Sequence, residues 1–251
     1  MKKSFHLRIR KIHRYLGLVL GIQFLFWTIG GLYFSWSDMD DIHGDHQKAH
    51  IHPLSADIQL ANPQSVIQQI KQTDAINYIF DIKLVQILGK PTYQIVYSQQ
   101  HDRGKKIKLA DAETGKIRGV LTKYEAIEIA KRSFIEEAKV SNIEYLTTTN
   151  GHHEYREQPL PAYAITFEHP SRTTVYVATE LGTVQKFRNQ RWRIFDFLWM
   201  LHTMDFQGRD NVSNYLLRAF SILGLLTILS GFILFGVSAK AVNQRKKKVK
   251  L

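Results

Sequence analysis

YLGLVLGIQFLFWTIGGLYFSWS, residues 15–37, contains no charged side chain. Coiled as a helix it would span about 35 Å, enough to cross a hydrocarbon core of about 30 Å. A second run, AFSILGLLTILSGFILFGVSA at residues 219–239, has the same character. Each run is flanked by a basic cluster that includes no acid. Lys2, Lys3, Arg8, Arg10, Lys11 and Arg14 precede the first; Lys240, Arg245, Lys246, Lys247, Lys248 and Lys250 follow the second. The pattern predicts two transmembrane helices, 15–37 and 216–239, with basic tails at 1–14 and 240–251. Lys and Arg stay on the cytoplasmic side of a membrane, so both termini are expected in the cytoplasm. The chain between, roughly 38–215, is then expected on the far side. Tyr33, Trp36, Trp199 and Tyr215 fall where an aromatic belt would meet the outer headgroups. The first run is longer than a signal-peptide core, and residues 32–36, LYFSW, offer no small-x-small cleavage site, so a retained anchor is expected.

The charge count supports the same picture. The chain has 251 residues with 34 Lys+Arg, 22 Asp+Glu and a net charge of +12. The two terminal clusters hold the whole excess, and the remaining basic and acidic residues balance. A basic groove for nucleic acid on a folded domain is therefore not expected. The chain contains no cysteine. That removes disulfides, Cys-ligated zinc, iron–sulfur clusters and thiol catalysis. No P-loop, zinc-protease His-Glu-x-x-His or Rossmann glycine fingerprint is present.

Residues 53–191 read as α+β sequence. PQSVIQQIKQT at 63–73 is a short helix with proline in its first turn. Strands follow at 79–88, 92–98 and 105–111, then a tight turn over Ala112–Gly115 and a strand at 116–120. The order recurs: an amphipathic helix at 123–138, then strands at 162–168, 173–179 and 183–187, with Glu180-Leu181-Gly182 as the last turn. YQIVYS…KIKLADAETGKIRG and YAITFE…TVYVATELGTVQKF share strand, gap, strand, glycine turn and strand. The period of about 70 residues predicts two copies of a small domain, 53–121 and 122–191. Each is one helix on a few antiparallel strands.

A helix followed by strand, Asp/Thr-x-x-x-Gly-x-(Ile/Val) turn and strand resembles the PepSY domain. KIHRYLGL at 11–18 resembles the opening of PepSY-associated transmembrane proteins. LHTMDFQG at 201–208, with GLLTILSG at 224–231, resembles their closing segment. The resemblance covers nearly the whole chain. It implies an α+β membrane protein, with two transmembrane helices flanking an extracytoplasmic pair of PepSY-like helix-plus-antiparallel-sheet repeats. Relatives in this family look like inner-membrane proteins of ferric-siderophore uptake, some carrying b-type haem and reducing iron. Those relatives typically have four spans where this chain has two. The implied cofactor is haem b; the residues themselves leave a divalent metal, or no cofactor, as the alternatives. The implied partners are the lipid bilayer, a second copy of the chain, and a ferric siderophore or TonB-dependent uptake proteins.

Eleven histidines give three groups of candidate ligands. His13 stands at the entry to the first span, with Gly17 and Gly21 on nearly the same helical face. That strip suits either a porphyrin ring or a close helix neighbour. His202 lies on an aromatic helical face with Trp192, Phe195, Trp199 and Phe206, in a segment, 192–215, read as an interfacial helix and loop. There it is either a buried packing residue or a ligand. The segment DMDDIHGDHQKAHIH, 38–52, carries His43, His46 and His50 at spacings that could share one helical face, with Asp205 expected at the same interface. It reads as a metal site or as a hydrophilic linker. His152, His153 and His169 read as loop residues. Gln23 is the only strongly polar side chain inside the first span.

Two functions follow. The first is transmembrane electron transfer supporting ferric reduction, with His13 and His202 as haem ligands and a two-fold dimer supplying a four-helix site. The second is a non-catalytic, membrane-anchored binding or regulatory module for a peptide, peptidase, transporter or metal.

Overall fold

The computed structural model describes residues 3–50, 53–100 and 102–249. The chain falls into two compact units, Met1–Ser37 with Ile194–Leu251, and Asp38–Arg193.

The first unit is helical. It contains α1 (Lys3–Trp36), most of α5 (Gln190–Thr203) and α6 (Tyr215–Val249). Leu7–Trp36 and Tyr215–Ser238 are long and apolar enough to cross a bilayer. The helices run on through the basic stretches expected as tails. Lys and Arg are good helix formers, and their long stems let a charged end continue an apolar helix. Leu18, Val19, Ile22 and Leu25 on α1 and Ile222, Leu225, Phe232 and Phe235 on α6 are exposed. Apolar surface of that extent is at home in an apolar medium. Of the expected belt residues, Trp36 and Tyr215 are among the most exposed rings of the chain. Trp199 instead stacks on His202 and Phe195.

Where α1 meets α6, small residues admit large ones. A Cβ on Gly224 would lie 3.3 Å from Phe24 Cζ, and one on Gly231 3.3 Å from His13 Cε1. These glycines are seven residues apart, the spacing of a left-handed helix seam. Leu20 is buried at 1% exposure. Gln23 Nε2 donates to the Leu201 carbonyl at 2.8 Å, so the polar side chain of the span ties α1 to α5.

The second unit holds two four-stranded antiparallel sheets, each a simple meander preceded by a helix. In the first half α3 (Pro63–Thr73) precedes β1 (Ile76–Ile87), β2 (Lys90–Gln99), β3 (Asp102–Asp111) and β4 (Ile117–Arg118). In the second, α4 (Lys123–Ser133) precedes β5 (Val140–Leu146), β6 (Ala162–Phe167), β7 (Thr174–Ala178) and β8 (Thr183–Arg188). Three hydrogen bonds recur at matching places. Ala61 N–H donates to Ala112 O, as Leu121 N–H does to Thr179 O. Ala112 N–H donates to Pro91 O, as Thr179 N–H does to Pro161 O. Gly115 N–H closes its turn on Asp111 O, as Gly182 N–H does on Ala178 O, and both glycines have positive φ. The two halves therefore share one topology turn for turn, as their sequence pattern predicts.

Three features depart from the sequence reading. The strand β5 lies where no strand was expected. Helix α4 stops at Ser133, short of 138, because Phe134 leaves the helix to stack on Phe167 at 4.8 Å in the core. The segment after α1 is also no loose linker. It forms α2 (Met39–His43) and a 3₁₀ turn, Asp45–Gln47. Ile42 is buried, Lys48 bridges to Phe134, and Ala49 N–H donates to Ser133 O. Buried Gln47 accepts from Thr173 Oγ1 at 2.7 Å, and Asn189 Nδ2 donates to Asp41 O. One aliphatic residue and one amide thus fasten an otherwise polar stretch to the second half.

The cores differ in composition. α3 covers Tyr93, Ile95, Tyr97 and Ala110 of the first sheet. α4 shares its core with Ile165, Val175, Val177 and Phe187 of the second sheet and also with Ile87 and Leu109 of the first.

Candidate functional site

His13 is held from α6. Its Nδ1 lies 2.7 Å from Ser230 Oγ, and Ser230 Oγ donates to Thr227 O at 2.8 Å. The hydroxyl hydrogen is committed to that carbonyl, so the oxygen accepts from the imidazole. The network assigns the proton of neutral His13 to Nδ1, which leaves the lone pair on Nε2. The Cε1–Nε2 edge of the ring packs beside Gly231, where a Cβ would lie 3.3 Å from Cε1 and 4.0 Å from Nε2. Gly17 and Gly21 turn to a different side: a Cβ on either would meet no neighbouring element within 4 Å. The expected glycine strip therefore stays open, and the close α1–α6 approach uses Gly224 and Gly231 instead.

His202 is caged by rings. Trp27, Phe34 and Trp199 lie at centroid distances of 5.6, 6.0 and 6.1 Å, the last nearly parallel. Its Nδ1 is buried with no hydrogen-bond partner among the described residues, and so is Trp27 Nε1. Each such orphan costs about 1–3 kcal/mol in a packed interior. The unpartnered imidazole nitrogen and the unpartnered indole N–H belong to rings whose centroids are 5.6 Å apart. Trp27 and Phe34 were not legible as neighbours of His202, since the pairing joins opposite ends of the chain.

His13 and His202 are not brought together. His13 faces α6, and the cage of His202 begins at Trp27, fourteen residues along α1 or about 21 Å at helical rise.

The remaining candidates are dispersed. Gly44, at φ 68°, ends α2 directly after His43, so His43, His46 and His50 do not continue on one helical face. His46 Nδ1 sits 3.2 Å from Asp41 Oδ1, while His43 and His50 line separate cavities. No group of three His, Asp or Glu side chains able to hold a metal occurs among the described residues. His52 lies outside them. Asp205, in the helical unit, organises its own loop: it accepts the N–H groups of Gln207, Gly208 and Asn211. Burial opposes its charge, but those N–H groups outweigh it and hold its carboxyl below the usual range. His169 is bonded through both nitrogens, to Ser171 and Glu136, and His153 accepts from Tyr155 N–H.

Comparison with known proteins returned nothing: no family model, no curated protein and no solved structure matches the chain.

Proposed function

We propose that the protein is an inner-membrane PepSY protein that holds haem and carries electrons across the bilayer in support of ferric iron or siderophore reduction. The observation that carries this reading is the state of its two membrane-unit histidines. His13 is anchored to Ser230 through Nδ1, and His202 sits in an aromatic cage with Nδ1 unused. His13 and His202 would each hold the group through a ring nitrogen, and a second copy of the chain would complete the ligand set. Haem held there would supply reversible one-electron chemistry. The chain's own residues orient and shelter the site. Ser230 fixes the ring of His13, while Trp27, Phe34 and Trp199 keep water from His202. The basic clusters support a topology with both termini in the cytoplasm and Asp38–Arg193 outside. The shared wiring of the two halves supports the PepSY reading of that unit.

Purified from haem-replete cells, the full chain should show a Soret band and a sharp α-band on reduction. His13→Ala and His202→Ala should each lose haem or turn it high-spin, with the outer unit still folded by circular dichroism. His152→Ala should change neither. A featureless spectrum from the parent chain overturns the reading and leaves the membrane-anchored binding module in its place.

A further inference from the structure

The outer unit contains a cavity of about 480 Å³ at the free edge of β8, with Lys48, Lys186, Arg188, His43 and Phe187 in its wall. No carboxylate is among its lining residues. Asp45 and Glu154 are already engaged. Asp45 pairs with Lys48. Glu154 takes Arg193 through both carboxylate oxygens and the hydroxyl of Tyr176 as well. Arg188 is fixed in place: its Nε donates to Glu154 O, and its guanidinium lies 3.8 Å over the Trp192 ring. The half-buried ammonium of Lys186 makes no ion pair or hydrogen bond among the described residues. A cation in that position is uncompensated, with two others beside it.

The electrostatics agree. Burial first, then Arg188, Lys48 and Arg156, push the Lys186 ammonium below its usual range. Burial, against the pull of Glu154, likewise brings Arg188 down to about 10. Repulsion of this kind is relieved by an anion; with Lys48 paired to Asp45, Lys186 and Arg188 leave two positive charges at the cavity, a match for an oxyanion of more than one charge.

We infer that this cavity binds a multiply charged oxyanion of the phosphate class, with Lys186 as its central contact and Lys48 and Arg188 beside it. The inference does not rest on the haem reading, since every residue it uses belongs to the outer unit. The phosphate has two sources, a soluble phosphate or a lipid headgroup.

The test uses the full chain in phosphatidylcholine nanodiscs and follows reductive methylation of individual lysines by peptide mapping. Pyrophosphate should protect Lys186 saturably while Lys71 and Lys123, on the two helices, react unchanged. Lys186→Gln should weaken pyrophosphate binding, measured by calorimetry, by about tenfold or more. Lys48→Gln, on a different segment of the chain, should also weaken it and guards against a folding defect in the first variant. Protection in discs containing phosphatidic acid, without pyrophosphate, identifies the headgroup as the source. Protection by pyrophosphate alone identifies a soluble anion. The inference is overturned if Lys186 reacts at one rate with and without both anions, or if it is protected no more than Lys71.

Discussion

Helix α3 ends on Asp74; α4, of equal length and capped at the matching place, ends on Phe134. Asp74 stays polar. Its carboxylate accepts from Tyr97 OH at 2.7 Å and from Gln99 Nε2 at 2.9 Å, and it latches the helix to β2. Phe134 turns inward, is buried, and stacks on Phe167. The difference follows from what each helix must cover. The core of α3 draws on the first sheet alone, whereas the core of α4 also takes in Ile87 and Leu109 from that sheet. A helix with more apolar surface around it uses its cap residue as filling. One topology thus supports two ways of closing a helix end.

The largest expected effect tests that contrast. Phe134→Ala removes a buried ring and should cost about 3–5 kcal/mol. Asp74→Ala leaves the Tyr97 hydroxyl without its acceptor and should cost less, about 1–3 kcal/mol. Urea titration of the full chain in nanodiscs, followed by hydrogen exchange in β2 and β6, measures both. Equal costs would break the distinction between latch and plug.

The two turn glycines give a finer comparison. Gly115 and Gly182 have φ of 71° and 73°, so a side chain at either pays about 1–2 kcal/mol for the left-handed backbone. A Cβ at Gly115 would find its nearest neighbour, Ala61 Cβ, at 3.4 Å. At Gly182 it would lie 2.3 Å from Ile87 Cδ1 and 3.2 Å from Leu109 Cδ1, inside the shared core. Overpacking there adds about 1–3 kcal/mol. Gly182→Ala should therefore destabilise more than Gly115→Ala under the same titration. Ile87→Val, which removes the clashing methyl, should recover part of the loss in the double variant. Strict additivity would show that Ile87 is not the obstacle.

The periodic features were legible in the sequence. Two charge-free runs gave the two long apolar helices, and the glycine turns gave the matching halves, because each is a local pattern. What was hidden depends on distant partners. β5 escaped notice because the stretch before β6, residues 147–161, buries Tyr155 and breaks the expected spacing. The end of α4 was misplaced because the pull on Phe134 comes from Phe167 and not from its own helix. In the helical unit both histidines could be singled out as residues. The Ser230 anchor of His13 and the Trp27/Phe34 cage of His202 could not, since those contacts cross from α1 to α6 and α5. The helical face expected for His43, His46 and His50 was lost to one residue, Gly44, whose positive φ ends α2.

The smallest expected effect concerns charge in the same pair of turns. Asp111 opens the first turn, and Ala178 stands at the matching place in the second. Asp111 Oδ1 accepts from the N–H and hydroxyl of Thr114 and from Glu113 N–H. The Thr114 bonds first, with Glu113 assisting against a little desolvation, hold its carboxyl below the usual range. A carboxyl depressed by folding stabilises the native state above its unfolded pKa, about 3.9, and that contribution is lost as pH falls through the lower folded value. Asp111→Ala should therefore lower the urea midpoint slightly at neutral pH. The gap from the parent should close as pH drops below about 4, where the parent's carboxylate is also being protonated. No such pH-dependent gap is expected on exchanging Ala178 for Ser, because the second turn closes on its backbone Gly182 N–H alone. A deficit in Asp111→Ala that is the same at neutral and acid pH would mean that the turn depends on the shape of the side chain and not on its charge. The two turns would then be held by one mechanism after all.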